Sequence, residues 1–142
     1  MNGVSQKGPE RLPQQGMAPE GNGKTILLAD DDASVREFTK AVLETFGYRV
    51  IEALDGEDAI EKFKENRNSI RLLIFDVVMP KKNGREAYKE ILKIQPGAKA
   101  LFISGYTQES FRGDEAHEEG IPFISKPFLA KVLIGYVNTV LN

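Results

Sequence analysis

The sequence lacks cysteine, has a single histidine and contains no long apolar run. Without cysteine there can be no disulfide framework, no thiolate metal site and no cysteine nucleophile, and a reducing compartment is permitted. The longest apolar runs reach about half of what a bilayer crossing needs, so no transmembrane helix is expected. An excess of positive charge is also missing: 19 basic residues face 21 acidic ones, for a net charge of −2. That balance speaks against a domain devoted to gripping nucleic acid directly, which needs a basic face. What is present is ordinary for one globular domain, 142 residues of which 41% are hydrophobic. Such a chain can bury a real core.

Five glycines and three prolines fall within Met1–Lys24, with glutamines between them and no apolar periodicity. A stretch so poor in large side chains cannot offset its ordering entropy by burial. Residues 1–24 therefore read as a flexible linker or the remnant of an expression tag, and residues 25–142 as the domain. The apolar core of a signal peptide is missing from this stretch.

The domain is organised around Ile70–Gly84, IRLLIFDVVMPKKNG. Leu72–Phe75 is too short for a stable helix and suits a strand buried on both faces. It ends on Asp76, and Met79-Pro80 followed by Lys81–Gly84 prevents the strand from continuing. The same rhythm recurs along the chain. Ile26–Ala29 is a strand ending in Asp30-Asp31-Asp32, and Ser34-x-x-Glu37 reads as a capping box for a helix with Val35, Phe38, Val42, Leu43 and Phe46 inside. Tyr48–Leu54 is a second strand, and Glu57–Asn66 a helix after an Asp55-Gly56 turn. Asn83-x-x-Glu86 starts a third helix that packs Ala87, Ile91 and Ile94. Lys99–Ile103 leads into Ser104, and Pro122–Ser125 into Lys126-Pro127. Between them Gln108–Glu119, with Phe111, Gly113, Ala116 and the solvated His117, predicts a loose or short helix. A last helix, Leu129–Leu141, would pack Leu129, Leu133, Tyr136, Val137 and Val140.

Strands alternating with helices predict an α/β fold, a doubly wound parallel sheet covered on both faces. In such a sheet Asp30, Asp31, Asp76, Ser104 and Lys126 all arrive at the carboxyl edge, where open α/β sheets place their ligands. Clustered aspartates repel one another unless a cation intervenes, and the hard-oxygen donor set favours Mg2+. With Asp30 and Asp31 on the metal, Asp76 is free to attack a phosphoryl group. Lys126 and Ser104 would then contact the phosphoryl oxygens.

The motifs ILLADDD, LLIFDVVMPKKNG, ALFISGYT and FISKPF, in this order, resemble the receiver domain of two-component response regulators over about residues 24–142. The resemblance implies a five-stranded (βα)5 flavodoxin-like fold with strand order 2-1-3-4-5, which a family member illustrates among doubly wound folds. It also implies a phosphorelay function. Asp76 would be phosphorylated by a histidine kinase or histidine phosphotransfer protein. Asp31 would be a direct Mg2+ ligand, Asp30 a ligand through water, and Val78 would give its backbone carbonyl. Ser104 and Phe123 would form the switch, and Lys126 would be delivered by a cis Lys126-Pro127 peptide. A cytoplasmic location is expected with this role, either free-standing or as the C-terminal receiver of a hybrid histidine kinase. Phosphorylation would rework the surface of the fourth helix, fifth strand and last helix. If that surface forms a homodimer, Val132 and Ile134 are the expected exposed contacts.

Val78 and Tyr106 flank the approach of water to an aspartyl phosphate on Asp76. Neither can orient a nucleophile, so slow self-dephosphorylation is expected. Two rival readings use the same residues. One is a haloacid-dehalogenase-like phosphatase with Asp30 as nucleophile and Asp32 as acid; the other is a receiver-like interaction module that takes no phosphate.

Overall fold

The computed structural model describes residues 21–105 and 121–142. Its sheet consists of β1 (Thr25–Ala29), β2 (Arg49–Ala53), β3 (Ile70–Asp76), β4 (Ala100–Ser104) and β5 (Phe123–Ser125). All neighbouring pairs are parallel, in the order β2-β1-β3-β4-β5. The helices among the described residues are α1 (Ala33–Thr45), α2 (Gly56–Asn66), α3 (Gly84–Ile94) and a C-terminal helix, Ala130–Leu141. The fourth helix expected over Gln108–Glu119 lies outside the described residues, as does Tyr106.

Side chains alternate across a strand, so each central strand feeds two cores. Leu27, Leu73, Phe75 and Phe102 pack with Ala59 and Phe63 of α2 and Ala87 and Ile91 of α3. Ile26, Leu28, Leu72, Ile74 and Leu101 pack on the other face with Leu43 of α1 and Leu133 and Val137 of the C-terminal helix. Burial on both faces explains why β1 and β4 read as unbroken apolar runs.

Local chemistry sets the helix starts. Asn83 and Glu86 form the expected reciprocal capping box of α3. At α1 the cap is Asp32 and not Ser34: its carboxylate accepts from the backbone N–H of Ser34 and Val35 at 3.0 and 3.2 Å. A carboxylate there gains from both orphan donors and the positive helix end, and it starts the helix one residue before Ser34. Asp55 caps α2 in the same manner, accepting from Asp58 N–H. Residues 21–24, expected in the linker, form a turn hydrogen-bonded to the end of α1, with Gly21 N–H donating to Phe46 O at 2.7 Å.

The inner faces of two helices differ from the apolar pattern. Phe38 of α1 is 45% exposed and meets Phe128 in a tilted ring contact with centroids 5.9 Å apart, while Thr39 and Leu43 point inward. On the C-terminal helix the buried residues are Leu133, Ile134 and Val137. Ile134, expected as an exposed contact, is only 5% exposed, and Val132 is 37% exposed. At 100° per residue, Leu133, Ile134 and Val137 share one stripe, whereas Leu129 is the extended N-cap residue outside the helix and 64% exposed, and Tyr136 is 39% exposed. No helix among the described residues is long and apolar enough to cross a membrane.

Candidate functional site

Register brings the polar residues together. Ala29 pairs with Phe75, so Asp30 and Asp76 leave adjacent strands at one level. Asp76 pairs with Ile103 and Ser104 with Ser125, which sets Ser104 and Lys126 at the same edge. Lys126 N–H donates to Ser104 O at 2.7 Å, and the Lys126-Pro127 peptide is cis, as expected. The Lys126 ammonium lies 3.1 Å from Asp76 Oδ2 and 3.3 Å from Asp30 Oδ2. Asp30, Asp76 and Ser104 are buried, and Asp31 is exposed.

Burial is the main force on the Asp76 carboxyl. It lifts the group to about 6 from 3.8, with the Asp30 charge adding to the rise and Lys126 opposing it. Burial pulls the Lys126 ammonium down, but the attraction of Asp76 and Asp30 outweighs it and leaves that group raised. The pocket thus holds one cation against two buried carboxylates and wants a second.

Oxygen atoms of Asp30, Asp31 and Asp76 all lie within 4.8 Å of one another. Opposite ligands of Mg2+ stand roughly 4 Å apart, so the three carboxylates suit the ion with little adjustment. Asp30 Oδ2 is buried without a hydrogen bond. Lys126 is near enough to pair with it electrostatically at 3.3 Å but is poorly aimed, and such an atom is a natural metal ligand. Val78 is 46% exposed, with its backbone N–H held by Asp76 Oδ1 at 3.4 Å. Phe123 is half-buried and packs toward the α2–α3 side of the sheet. Asp32, needed as an acid by the phosphatase reading, spends its carboxylate on the start of α1.

Two supports of this site were not foreseen. Arg36 Nη1 donates to the Asp30 carbonyl at 2.7 Å while its Nε pairs with Glu52 at 3.1 Å, and Lys40 holds the other Glu52 oxygen at 2.9 Å. The only hint in sequence was the i, i+4 spacing of Arg36 and Lys40, which names no acid partner. Gly84 is the second support, for it leaves no room for a side chain against the backbone of Asp76 and Val77 at the end of β3. An added Cβ would run into Asp76 O.

Residues 26–138 match the family model of the response regulator receiver domain. The chain belongs to that family. It is 36% identical over 119 residues to the chemotaxis protein CheY of Thermotoga maritima, covering 83% of this chain and 98% of that protein. Sensor kinase CckA of Brucella abortus is 33% identical over 118 residues, but this chain spans only 12% of its length. Among solved structures, the receiver domain of the hybrid histidine kinase CckA superposes with a TM-score of 0.70 at 34% identity, covering 83% of this chain and 99% of that one. The response regulator TrrA of Thermotoga maritima, in complex with Mg2+-BeF, gives 0.74 at 31% identity over 83% and 99% of the two chains. This receiver is a CheY-like phosphoacceptor domain of two-component signalling, regulatory in nature, with the five-stranded flavodoxin-like fold.

Proposed function

We propose that Asp76 of this receiver accepts a phosphoryl group from a phosphohistidine on a histidine kinase or phosphotransfer protein. The observation that carries this reading is the Lys126 ammonium 3.1 Å from Asp76 Oδ2 beside the buried Asp30. An Asp76 oxygen attacks phosphorus, the P–O bond forms as the P–N bond breaks, and the electron pair leaves on the imidazole nitrogen. Lys126 moves its charge from the carboxylate to the incoming phosphoryl oxygens, and Ser104 donates its hydroxyl to one of them. Asp30, Asp31, Asp76 and the Val78 carbonyl would hold Mg2+, which when bound neutralises charge on the phosphoryl oxygens. The Mg2+-BeF complex of the related TrrA supports that choice of ion.

Ser104 turning toward the phosphoryl group leaves space that Phe123 fills, which carries the signal to β5 and the C-terminal helix. A homodimer through this surface and a cytoplasmic site of action accompany the role. Val78 and Tyr106 restrict water and keep the aspartyl phosphate long-lived. Incubation with Mg2+ and acetyl phosphate, followed by intact mass, should add one phosphoryl group to the parent and none to Asp76→Asn. A gain that persists in the variant would place the acceptor elsewhere.

A further inference from the structure

The opposite edge of the sheet carries a different charge pattern. Lys24 precedes β1, Arg49 opens β2, Arg71 is the second residue of β3, and Lys99 precedes β4. In sheet order β2-β1-β3-β4 these cations form a row of four. Neighbouring strands are about 4.8 Å apart, so the row runs for roughly 14 Å. None of the four is ion-paired among the described residues.

One of these cations is placed by an irregularity in the sheet. Thr25 faces Ile70 and Ile26 faces Leu72, so Arg71 is an extra residue with no partner on β1. It is also the single exposed position of β3. A bulge re-aims its side chain out of the ladder, and bulges gather beside functional sites. Here Arg71 borders a cavity of about 220 Å3, together with Lys24 and Lys99, over apolar walls from Phe63, Ile70 and Leu141. Drug-sized ligands need pockets of about 300 Å3 or more, so this cavity suits one large apolar side chain.

We propose that this cavity docks an acidic segment of a partner protein, seating one apolar side chain between Arg71 and Lys99 with carboxylates on the flanking cations. Charge complementarity selects that occupant. The chain's own residues 1–20 carry Lys7 and Arg11 against Glu10 and Glu20, and so bring no net negative charge to the row. Burying the apolar side chain supplies affinity, while the cations set register and encounter rate. The cavity lies a strand length, roughly 17 Å or more, from the carboxyl edge, so docking leaves Asp76 open to its phosphodonor.

The test uses the full chain and a fluorescein-labelled peptide, Glu-Asp-Phe-Asp-Glu, followed by anisotropy at low salt. Saturable binding at one site is expected, weakened at least tenfold in the double variant Arg71→Glu, Lys99→Glu. A probe with serine in place of phenylalanine should bind at least fivefold more weakly. Arg71→Gln alone, a milder change on an exposed side chain, should give an intermediate loss. Phosphorylation by acetyl phosphate should be unchanged in both variants, which checks that the fold is intact. The proposal is overturned if the peptide does not bind, if the variants bind it as the parent does, or if the serine probe binds equally. Tighter binding of a 20-base-pair DNA or of phosphatidylserine vesicles, lost in the same variants, would also overturn it.

Discussion

Arg36 of α1 holds the backbone carbonyl of Asp30 at 2.7 Å, and Glu52 of β2 holds Arg36. A side chain about one turn into the helix thus fixes the strand end that presents the acid pair. Groups that orient metal ligands without touching the metal typically affect affinity 10- to 100-fold. Arg36→Ala should weaken Mg2+ binding about tenfold, and Glu52→Gln by less, because Arg36 keeps its bond to the carbonyl. Calorimetric Mg2+ titration checks this. Unchanged affinity in Arg36→Ala would leave the clamp a purely structural contact.

The three consecutive aspartates should separate by role. Asp31→Ala should abolish Mg2+-dependent phosphorylation, because Asp31 supplies the exposed member of the carboxylate cluster. Asp32→Ala should still accept phosphate and lower the melting temperature by a few degrees, since Asp32 caps α1. Intact mass after acetyl phosphate and a thermal melt distinguish the two. Equal loss of phosphorylation in both variants would contradict the assignment.

Asp76 predicts a pH dependence. Its carboxyl is raised to about 6 from 3.8, chiefly by burial, so the native state prefers the protonated form. That preference stabilises the metal-free fold at acid pH and is lost as pH rises through about 6. In EDTA this group should remove on the order of 2–3 kcal/mol between pH 4 and pH 7. Asp76→Asn should flatten the trend and exceed the parent in stability at pH 7. Added Mg2+ should stabilise the parent more at pH 7 than at pH 5, because ionised carboxylates bind it. Urea denaturation at each pH tests the sign, and a parent no less stable than Asp76→Asn at pH 7 would refute it.

Glycines in different settings should respond oppositely to alanine. At Gly84 the new Cβ runs into the Asp76 carbonyl oxygen, a backbone atom that cannot retreat. Gly84→Ala should cost about 2–3 kcal/mol as an overpacking change. Gly135 lies exposed within the C-terminal helix with nothing near its Cβ position, so Gly135→Ala should gain about 0.5–1 kcal/mol. Denaturant midpoints should move in opposite directions.

Val78, 46% exposed beside the proposed acceptor Asp76, offers no group to orient water. The double variant Val78→Asn, Tyr106→Ala should speed loss of the phosphoryl group about tenfold, within the range of one positioning effect. Phosphoprotein decay after removal of acetyl phosphate, with Mg2+ present, measures it. A double variant that decays at the parental rate would remove these two positions from control of water.

The sequence by itself determined the architecture and the list of polar residues at its carboxyl edge. Apolar runs such as Leu72–Phe75 can be satisfied only by a strand buried on both faces, and helices between such strands force parallel pairing. Parallel pairing then carries every strand end to one edge, so Asp30, Asp76, Ser104 and Lys126 converge by topology alone. Tertiary structure decided the rest, because it depended on contacts between distant segments. Ile134 over Leu129 as core turned on how the C-terminal helix met its neighbours. The Arg36–Glu52 clamp joins residues that no local period links. The bulge at Arg71 arises from how β3 registers on β1, and pairing register is written in neither strand alone.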